Sequence, residues 1–344
     1  MNKKILYMVN TLLATLLLTA CSNGDWSFPD NDHSAVYFAY QSPIRTITLG
    51  EDFYDTTLDN LHQCQIMATI GGVYDNPRDV TISIKVDNSL CDGFMFKDEG
   101  NDILPMPASH YTLSDNKIVI KAGEVLGGVT VQLTDAYFAD PLSTKLNYVI
   151  PVVMTDVVGA DSILCGLAQD GVEAPVRTNS ADWSIQPKDY ILYAVKYISK
   201  YQANYLRRGT DTYSGAKTGT VERKAEYVEK DEVLQNQFTT LGINTVEWAR
   251  PTQNADGDDV DCRLKLDFDA SGKCTISSNS PGVTATGSGE FVAKGDKNSW
   301  GGEDRDVLYL NYTIEYAGIT CVTKDTLVVR DRGVKSEWFT IAKK

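Results

Sequence analysis

Short runs of β-branched and aromatic residues, separated by turn-forming residues, constrain the fold of this chain more than any other sequence feature. In Thr81–Val86 the isoleucines and the valine alternate with polar residues, and the same period of two returns in Ile118–Ile120 and Val129–Leu133. Such alternation places one face of a strand in a core and the other face in water. Because Gly-Gly and Asn-Pro turns separate the runs and no convincing helical pattern lies between them, the pattern predicts an all-β protein.

The predicted strands fall into two groups, which we interpret as two domains. Residues 35–158 are predicted to form a β-sandwich, and residues 159–182, which mix Gly, Ala, Asp and Pro without periodicity, an interdomain linker. In residues 183–344 successive strands are joined by short turns such as Asp269–Lys273. This arrangement predicts an antiparallel, lipocalin-like meander that closes, or nearly closes, into a β-barrel. A second sandwich is the alternative architecture for this domain.

The N-terminus has the pattern of an export signal. Two lysines precede the apolar run Ile5–Leu18, which is shorter than the roughly 20 residues that span a bilayer as a permanent helix. Leu18–Cys21, with the sequence Leu-Thr-Ala-Cys, resembles the bacterial lipobox, in which the cysteine is acylated and becomes the mature N-terminus. We therefore predict a signal peptide at residues 1–20, lipidation of Cys21 and a lipidated tether at residues 21–34.

The charge balance excludes one class of partner. The chain carries 32 basic and 46 acidic residues, a formal charge of -14. Removal of the signal peptide would take away two lysines and no acidic residue, so the charge would become -16. A chain this acidic is not expected to bind nucleic acid. It is instead expected to stay soluble and to repel anionic membranes, which suits a protein held away from the bilayer by a tether.

The residues of common catalytic and metal sites are sparse or poorly spaced. The six cysteines after Cys21 form no C-x-x-C pair and have no histidine at ligand spacing, so we predict no metal site and mostly buried free thiols. The three histidines belong to no recognisable catalytic motif, and no G-x-S-x-G motif is present. We therefore predict a protein that is not an enzyme and has no cofactor. A glycoside hydrolase remains an alternative, because two facing carboxylates have no sequence signature.

Aromatic residues in loops are the candidate ligand-binding residues, since sugars stack their C–H faces on flat rings. The best candidate is Trp300, which lies among glycines and acidic residues. The alternative for Trp300 is a buried position that closes one end of the barrel. Trp248 is the second candidate, and Tyr201 and Tyr205 with the neighbouring Arg207 form the third. Two further tryptophans are interpreted as packing residues: Trp183 and Trp338.

Several segments resemble known domains of Bacteroidota surface lipoproteins. Three of them resemble the N-terminal domain: Tyr111–Leu113, Ile118–Glu124 and Leu146–Thr155. Three others resemble the partner domains of such lipoproteins: Pro187–Tyr197, Tyr205–Gly209 and Asp325–Arg332. The resemblance implies an immunoglobulin-like β-sandwich of undefined function in the first domain. It also implies an association with outer-membrane glycan import systems of the starch-utilisation type, although the matching motifs themselves are structural.

These observations together predict a non-catalytic cell-surface lipoprotein that binds glycan or assists an outer-membrane glycan importer. The protein is expected to be lipid-anchored in the outer membrane and to face the cell exterior. An adhesin that binds a surface protein is the second hypothesis, and an exposed apolar patch or a long unpaired edge strand would support it. A glycoside hydrolase is the third.

Overall fold

The computed structural model describes residues 33–344, so the predicted signal peptide, Cys21 and most of the predicted tether lie outside the described residues. Over this range the chain consists almost entirely of strands, with a few short helical turns, and the prediction of an all-β fold is confirmed. No helix between residues 33 and 344 has the length and apolar character needed to cross a membrane.

Fourteen strands precede residue 199 in the described chain. They are β1 (Ala35–Tyr37), β2 (Pro43–Thr48), β3 (Gln63–Gly71), β4 (Val80–Val86), β5 (Phe94–Phe96), β6 (Leu104–Pro105), β7 (Tyr111–Leu113), β8 (Lys117–Ile120), β9 (Leu126–Leu133), β10 (Tyr148–Val158), β11 (Ser162–Ile163), β12 (Leu167–Ala168), β13 (Trp183–Ile185) and β14 (Tyr190–Ile198). The α-helices between residues 33 and 344 are α1 (Thr57–Asn60) and α2 (Asp135–Ala139).

The remaining strands begin with a long antiparallel series. They are β15 (Asn204–Gly215), β16 (Gly219–Arg223), β17 (Glu232–Leu234), β18 (Phe238–Gly242), β19 (Thr245–Ala249), β20 (Arg263–Phe268), β21 (Lys273–Ser278), β22 (Val283–Asp296), β23 (Arg305–Tyr316), β24 (Ile319–Asp331), β25 (Glu337–Trp338) and β26 (Ile341–Lys343). Short 3₁₀ turns occupy Asn88–Cys91, Pro141–Thr144, Ser180–Asp182, Val228–Lys230 and Trp300–Gly302.

Two sheets pack face to face in the first half of the chain. One has the strand order β11-β1-β3-β9-β7, and the other β25-β2-β14-β10-β4-β8. Their inner faces share one apolar core, to which Ile66 and Val131 contribute from the first sheet and Ile82, Ile150 and Val195 from the second. Because the side chains of a strand alternate between its two faces, the predicted alternation in β4 and β9 supplies this core directly.

The central strands β10 and β14 are buried on both faces. Val149 and Leu192 point away from the sandwich core and pack against a second apolar cluster that contains Phe94, Phe96 and Phe339. This cover explains why Tyr148–Met154 and Tyr190–Val195 are almost continuously apolar, as is typical of strands that lie in no contact with water.

The strand pairing corrects the predicted domain boundary. β14 pairs antiparallel with β10 and parallel with β2, and therefore lies in the sandwich, although the sequence placed it in a C-terminal domain starting at Trp183. The predicted linker at residues 159–182 contributes β11 to the sandwich and β12, which pairs with β13. The boundary between the two domains therefore falls between β14 and β15, because both partner strands of β14, β10 and β2, belong to the sandwich.

Strands β15–β24 form one curled antiparallel sheet with the order β16-β15-β24-β23-β22-β21-β20-β19-β18. β17 pairs with β15 beside β16 and leads directly into β18, so the two edges of the sheet approach each other. Thr240 of β18 donates from its backbone amide to the side chain of Gln202, two residues before β15, at 2.6 Å. One apolar cluster fills the interior, which agrees with the predicted nearly closed barrel.

The chain returns to the sandwich after the barrel. β25 pairs with β2, and β26 pairs with β5. At the crossing, the buried Arg332 donates to three backbone carbonyl oxygens: to Leu49 at 2.9 Å, to Gln202 at 2.7 Å and to Ser199. Burial lowers the pKa of Arg332, and these carbonyls supply the hydrogen bonds that its buried guanidinium requires. Sandwich and barrel are thus joined by a buried polar contact as well as by the chain.

Candidate functional site

The candidate site is a groove beside β2, the strand of the sandwich with which the returning strand β25 pairs. It has a volume of about 530 Å³ and lies between β2, the loop of residues 52–56 and the segment of residues 334–338. We call this cavity the aromatic groove. Its size falls within the range of about 300–1,000 Å³ that is typical of small-molecule sites.

Three exposed aromatic side chains surround the aromatic groove. Trp338 is 55% exposed, Tyr40 58% and Tyr54 74%. The Tyr40 and Trp338 ring centroids lie 5.6 Å apart, and the ring planes are inclined by 48°. Aromatic rings that remain this accessible offer flat apolar faces to a ligand, which is how proteins hold the C–H faces of a sugar.

β25 explains why Trp338 faces solvent. Trp338 is paired with Pro43 of β2, and the backbone amide of the next residue, Phe339, donates to Ser42 at 3.1 Å. Phe339 points the opposite way and is buried against Phe96, with 4.9 Å between the ring centroids. Because neighbouring side chains in an extended chain alternate, burial of Phe339 exposes Trp338. The interpretation of Trp338 as a packing residue is therefore wrong, because more than half of this residue is exposed to solvent.

A buried carboxylate forms part of the polar wall of the groove. The side chain of Asp59 forms an ion pair with Arg45 and accepts a hydrogen bond from the Thr48 backbone amide at 2.9 Å. Burial raises the pKa of Asp59, although the Thr48 hydrogen bond and the Arg45 charge oppose this rise. Both carboxylate oxygens thus have partners within the protein, so Asp59 positions Arg45 at the groove.

The aromatic groove is negatively charged. Among its lining residues the cations are Arg45 and Lys335, and the carboxylates are those of Asp52, Asp55, Asp59 and Glu337. Lys196 forms an ion pair with Glu337 at 2.7 Å, so the formal sum with this lysine included is three minus four, or -1. Side-chain and backbone hydrogen bonds from Thr57 lower the pKa of Asp55, so this carboxylate stays ionised at neutral pH. Such a wall disfavours anionic ligands and supplies acceptors for hydroxyl groups.

Trp300, the best candidate from the sequence, lies outside the groove. Its indole nitrogen donates to the Val329 carbonyl oxygen at 3.1 Å, and the Arg305 guanidinium lies 3.9 Å from its ring centroid. Trp300 also contacts Phe53 of the sandwich, at 5.7 Å between ring centroids. Phe53 precedes Tyr54 in the loop that lines the aromatic groove. Trp300 thus contacts the loop that carries a groove residue, but does not itself face the groove.

The other aromatic candidates are core residues. Trp248, Tyr201 and Tyr205 are all essentially inaccessible, although the sequence placed them in exposed loops. Trp248 stacks on Phe238 at 5.3 Å, and Tyr201 stacks on Phe268 at 3.6 Å. The prediction that these three rings are exposed is wrong. For Trp248 and Tyr205 the physical reason is strand parity, which points both rings into the barrel. Tyr201 lies in the turn before β15 and packs into the same core.

Arg207 also points into the barrel and belongs to a buried charge network. Its Nε and one terminal nitrogen donate to Asp325, at 3.1 and 2.9 Å. Asp325 also accepts from Arg223 at 3.0 Å and from the Tyr312 hydroxyl at 2.8 Å. Arg250 donates to the same hydroxyl at 2.8 Å, which links the two ends of the network. The Arg207 side chain is only 3% exposed and forms structural ion pairs inside the barrel. The prediction that Arg207 contacts a ligand is therefore wrong.

Asp211 anchors the other end of the buried charge network. It accepts from Arg223 at 2.6 Å, from Arg250 at 3.1 Å and from the Thr323 hydroxyl at 2.6 Å. Burial alone would raise the pKa of Asp211, but the Arg223 hydrogen bond and the Arg250 charge outweigh it and hold this pKa well below its usual value. Asp211 therefore stays ionised, and paired with Arg223 and Arg250, at any physiological pH.

The described residues contain little that suggests metal or thiol chemistry. Between residues 33 and 344 no group of three or more His, Cys, Asp or Glu side chains is arranged to hold a metal ion. All six cysteines in this range are free; Cys165 is exposed, and the others are buried. Burial raises the pKa of the Cys64 thiol to about 12, which keeps it protonated and unreactive.

Comparison with known proteins adds two domain families and one close structural relative. Residues 200–333 match a domain of unknown function (DUF5627), and residues 29–161 match a family described as an N-terminal domain. The start of the first of these matches, at residue 200, agrees with the strand pairing, which divides the chain between β14 and β15. The N-terminal match ends at residue 161, before β14. No curated protein matches the chain.

A crystal structure of a protein of unknown function from Bacteroides ovatus is 45% identical to the chain, with a TM-score of 0.84. The match covers 92% of this chain and 100% of that one. An auxiliary nutrient-binding protein from Bacteroides thetaiotaomicron is 14% identical over 83% of this chain and 90% of its own, with a TM-score of 0.33. The chain therefore belongs to the same two-domain family as the Bacteroides ovatus protein, with a DUF5627 domain as its barrel.

Proposed function

We propose that this protein is a non-catalytic, lipid-anchored glycan-binding protein of the outer membrane that captures glycan for an importer. The observation that carries the proposal is the aromatic groove, where Tyr40, Tyr54 and Trp338 expose their rings around one cavity. Exposed rings next to carboxylates and an arginine match the two requirements of sugar recognition, stacking and hydroxyl hydrogen bonds.

The charge of the groove favours an uncharged glycan. Asp59 and Glu337 are paired with Arg45 and Lys196, which leaves the carboxylates of Asp52 and Asp55 against Lys335 to disfavour uronates and sulfated sugars. Carboxylates are strong acceptors for sugar hydroxyls, whereas the Arg45 guanidinium donates to sugar oxygens. We therefore propose that the ligand of the groove is a neutral polysaccharide or one of its oligosaccharides.

Replacement of a groove aromatic is expected to weaken binding without unfolding the protein. Loss of one stacking ring should raise the Kd for a neutral glycan by about ten-fold, because an aromatic contact contributes on the order of 1 kcal/mol. The full-length chain with Trp338→Ala or Tyr54→Ala would be compared with the parent by affinity gel electrophoresis on a panel of neutral polysaccharides, with Kd values from calorimetry.

Tyr227→Ala is the matched control, because Tyr227 is 60% exposed but lies outside the groove. This control should bind like the parent. The proposal fails if no neutral glycan binds, or if the groove variants bind as tightly as Tyr227→Ala.

A glycoside hydrolase is the second candidate, and one observation favours it. Asp59 and Asp55 approach the same cavity, and the pKa is raised for Asp59 and lowered for Asp55, which is the pattern of an acid and its partner carboxylate. The proposed binding protein should release no reducing ends from a bound glycan. Release that disappears with Asp59→Asn would establish hydrolysis instead.

Membrane attachment is proposed to depend on Cys21. Because acyl chains contribute about 0.8 kcal/mol per buried methylene, the lipidated chain should sediment with the outer membrane, and Cys21→Ser should move it to the soluble fraction. Protease added to intact cells should degrade the parent protein if it faces the exterior. Sedimentation of Cys21→Ser with the membrane would contradict the anchor, and full protection from protease would place the protein on the inner side.

A further inference from the structure

A second concave surface lies on the outer face of the barrel, where β16, β15, β24 and β23 are adjacent. Its volume is about 370 Å³. The strand register explains its composition. Glu222, Thr210, Lys324 and Asn311 are paired in sequence across the four strands and form one row of outward side chains. We call this cavity the basic pocket.

The adjacent row has the same orientation, two residues along each strand. Arg208 is paired with Thr326, and Thr326 with Tyr309, so these three side chains line the pocket beside the first row. Tyr309 is 38% exposed and supplies an accessible ring. Lys224, which follows the last residue of β16, completes the lining on that side.

The basic pocket has the opposite charge to the aromatic groove. Its outward cations are Arg208, Lys224 and Lys324, and its outward carboxylate is Glu222. With Asp231, which forms an ion pair with Arg208, the formal sum is three minus two, or +1. This local charge stands on a chain whose overall formal charge is -14. An acidic protein repels polyanions at long range, so anion binding here would have to come from a local cluster of cations.

Two of the cations are available to a ligand. Arg208 is held by Asp231, with Nε and one terminal nitrogen each 2.6 Å from the same oxygen. Lys224 and Lys324 are exposed, and neither forms an ion pair with any residue of the described chain. Cations without a partner carboxylate lose no existing interaction when they bind an anion. The pocket therefore presents two free ammonium groups beside an aromatic ring.

An ion pair crosses the floor of the pocket above a glycine. Arg223, Gly209 and Asp325 are paired in one row, with Gly209 in the middle strand. A Cβ atom at Gly209 would lie 2.1 Å from the Lys324 carbonyl oxygen and 2.6 Å from the Asp325 carboxylate. The missing side chain thus permits the Arg223–Asp325 ion pair to cross β15 at 3.0 Å. The strands that carry Lys224 and Lys324 are thereby held together from beneath.

We propose that the basic pocket binds the carboxylate groups of an acidic polysaccharide. Lys224 and Lys324 contact the carboxylates, Tyr309 stacks on a sugar ring, and Thr210 and Asn311 bond hydroxyl groups. Separated carboxylates on a sugar chain fit lysines that stand on different strands, β24 and the end of β16. This site is separate from the aromatic groove, and shares no lining residue with it.

The test uses polygalacturonate as the acidic probe and fully methyl-esterified polygalacturonate as its matched neutral probe. The full-length parent should be retarded in an affinity gel containing polygalacturonate and released by high salt, but not retarded by the ester. Lys224→Gln with Lys324→Gln should weaken retardation by about ten-fold, because two exposed charge contacts are lost.

The control is Lys97→Gln with Lys273→Gln, which makes the same change in net charge at two exposed lysines outside the pocket. This control and Trp338→Ala should both still be retarded by polygalacturonate. Loss of binding at the basic pocket is therefore distinguishable from loss of binding at the aromatic groove. The proposal is overturned if polygalacturonate does not retard the parent, or if both double variants are affected equally. Retardation of the parent by dextran sulfate but not by polygalacturonate would also overturn the proposal.

Discussion

Asp211→Asn is expected to lower the free energy of unfolding of the barrel by about 3–5 kcal/mol at pH 7, because removal of one charge leaves its buried partners uncompensated. Asp211 accepts hydrogen bonds from Arg223, Arg250 and Thr323 in the buried charge network. In the variant both arginines remain charged, since guanidinium groups do not deprotonate in proteins. Urea unfolding followed by tryptophan fluorescence measures the loss.

The same variant should change the pH dependence of stability. The pKa of Asp211 is depressed in the folded protein, whereas in the unfolded chain it is near 3.9. Its contribution is therefore complete above about pH 4 and is lost as the pH falls towards the folded pKa. The parent should lose stability over this acidic range, and Asp211→Asn should lose less. Asp258→Asn, in an exposed loop, should follow the parent at every pH; equal behaviour of both variants would contradict the network's role.

Trp248→Ala is the second change with a large expected effect, a loss of about 3–5 kcal/mol in the free energy of unfolding. Its indole is completely buried, stacks on Phe238 and lies 5.2 Å from the Arg207 guanidinium, so truncation creates a cavity beside a buried charge. Trp338→Ala, by contrast, removes a side chain that is 55% exposed and should cost less than about 1 kcal/mol.

The paired measurement separates a core tryptophan from a binding tryptophan. Thermal unfolding of the two variants gives the stabilities, and calorimetry with the neutral glycan gives the affinities. Trp248→Ala should lower the Tm while the folded fraction keeps its affinity for the glycan. Trp338→Ala should leave the Tm nearly unchanged and weaken glycan binding. A stable Trp248→Ala variant that fails to bind glycan would contradict the buried position of this ring.

Local sequence patterns predicted the strands but not all of their partners. The alternation in β4 and β9 follows from a period of two that any strand with one buried face requires, so the all-β fold was accessible from the sequence. β14 differs, because an almost continuous apolar run shows burial without identifying the sheet that buries it. Its assignment to the sandwich depends on pairing with β2, from which it is separated by more than a hundred residues.

The exposure of tryptophans was predictable in one case and not in another. In Thr245–Ala249 the residues Val246 and Trp248 share a strand face, so alternation alone indicates that Trp248 belongs to a core. Trp338 lies in a strand of two residues, where no period can be read. The aromatic groove combines segments near residues 40, 54 and 338, and no local pattern connects such distant positions.

The order of these segments along the chain affects how the groove can form. The contact between Pro43 and Trp338 closes a loop that contains the whole of residues 200–333. For a flexible loop of roughly 300 residues, the conformational entropy lost on closure costs a free energy on the order of 5 kcal/mol. Once the barrel has folded, the Arg332–Gln202 contact already holds its two ends together, and the remaining closure is short. Folding of the barrel is thus expected to precede the groove kinetically, as the step that brings its far wall within reach.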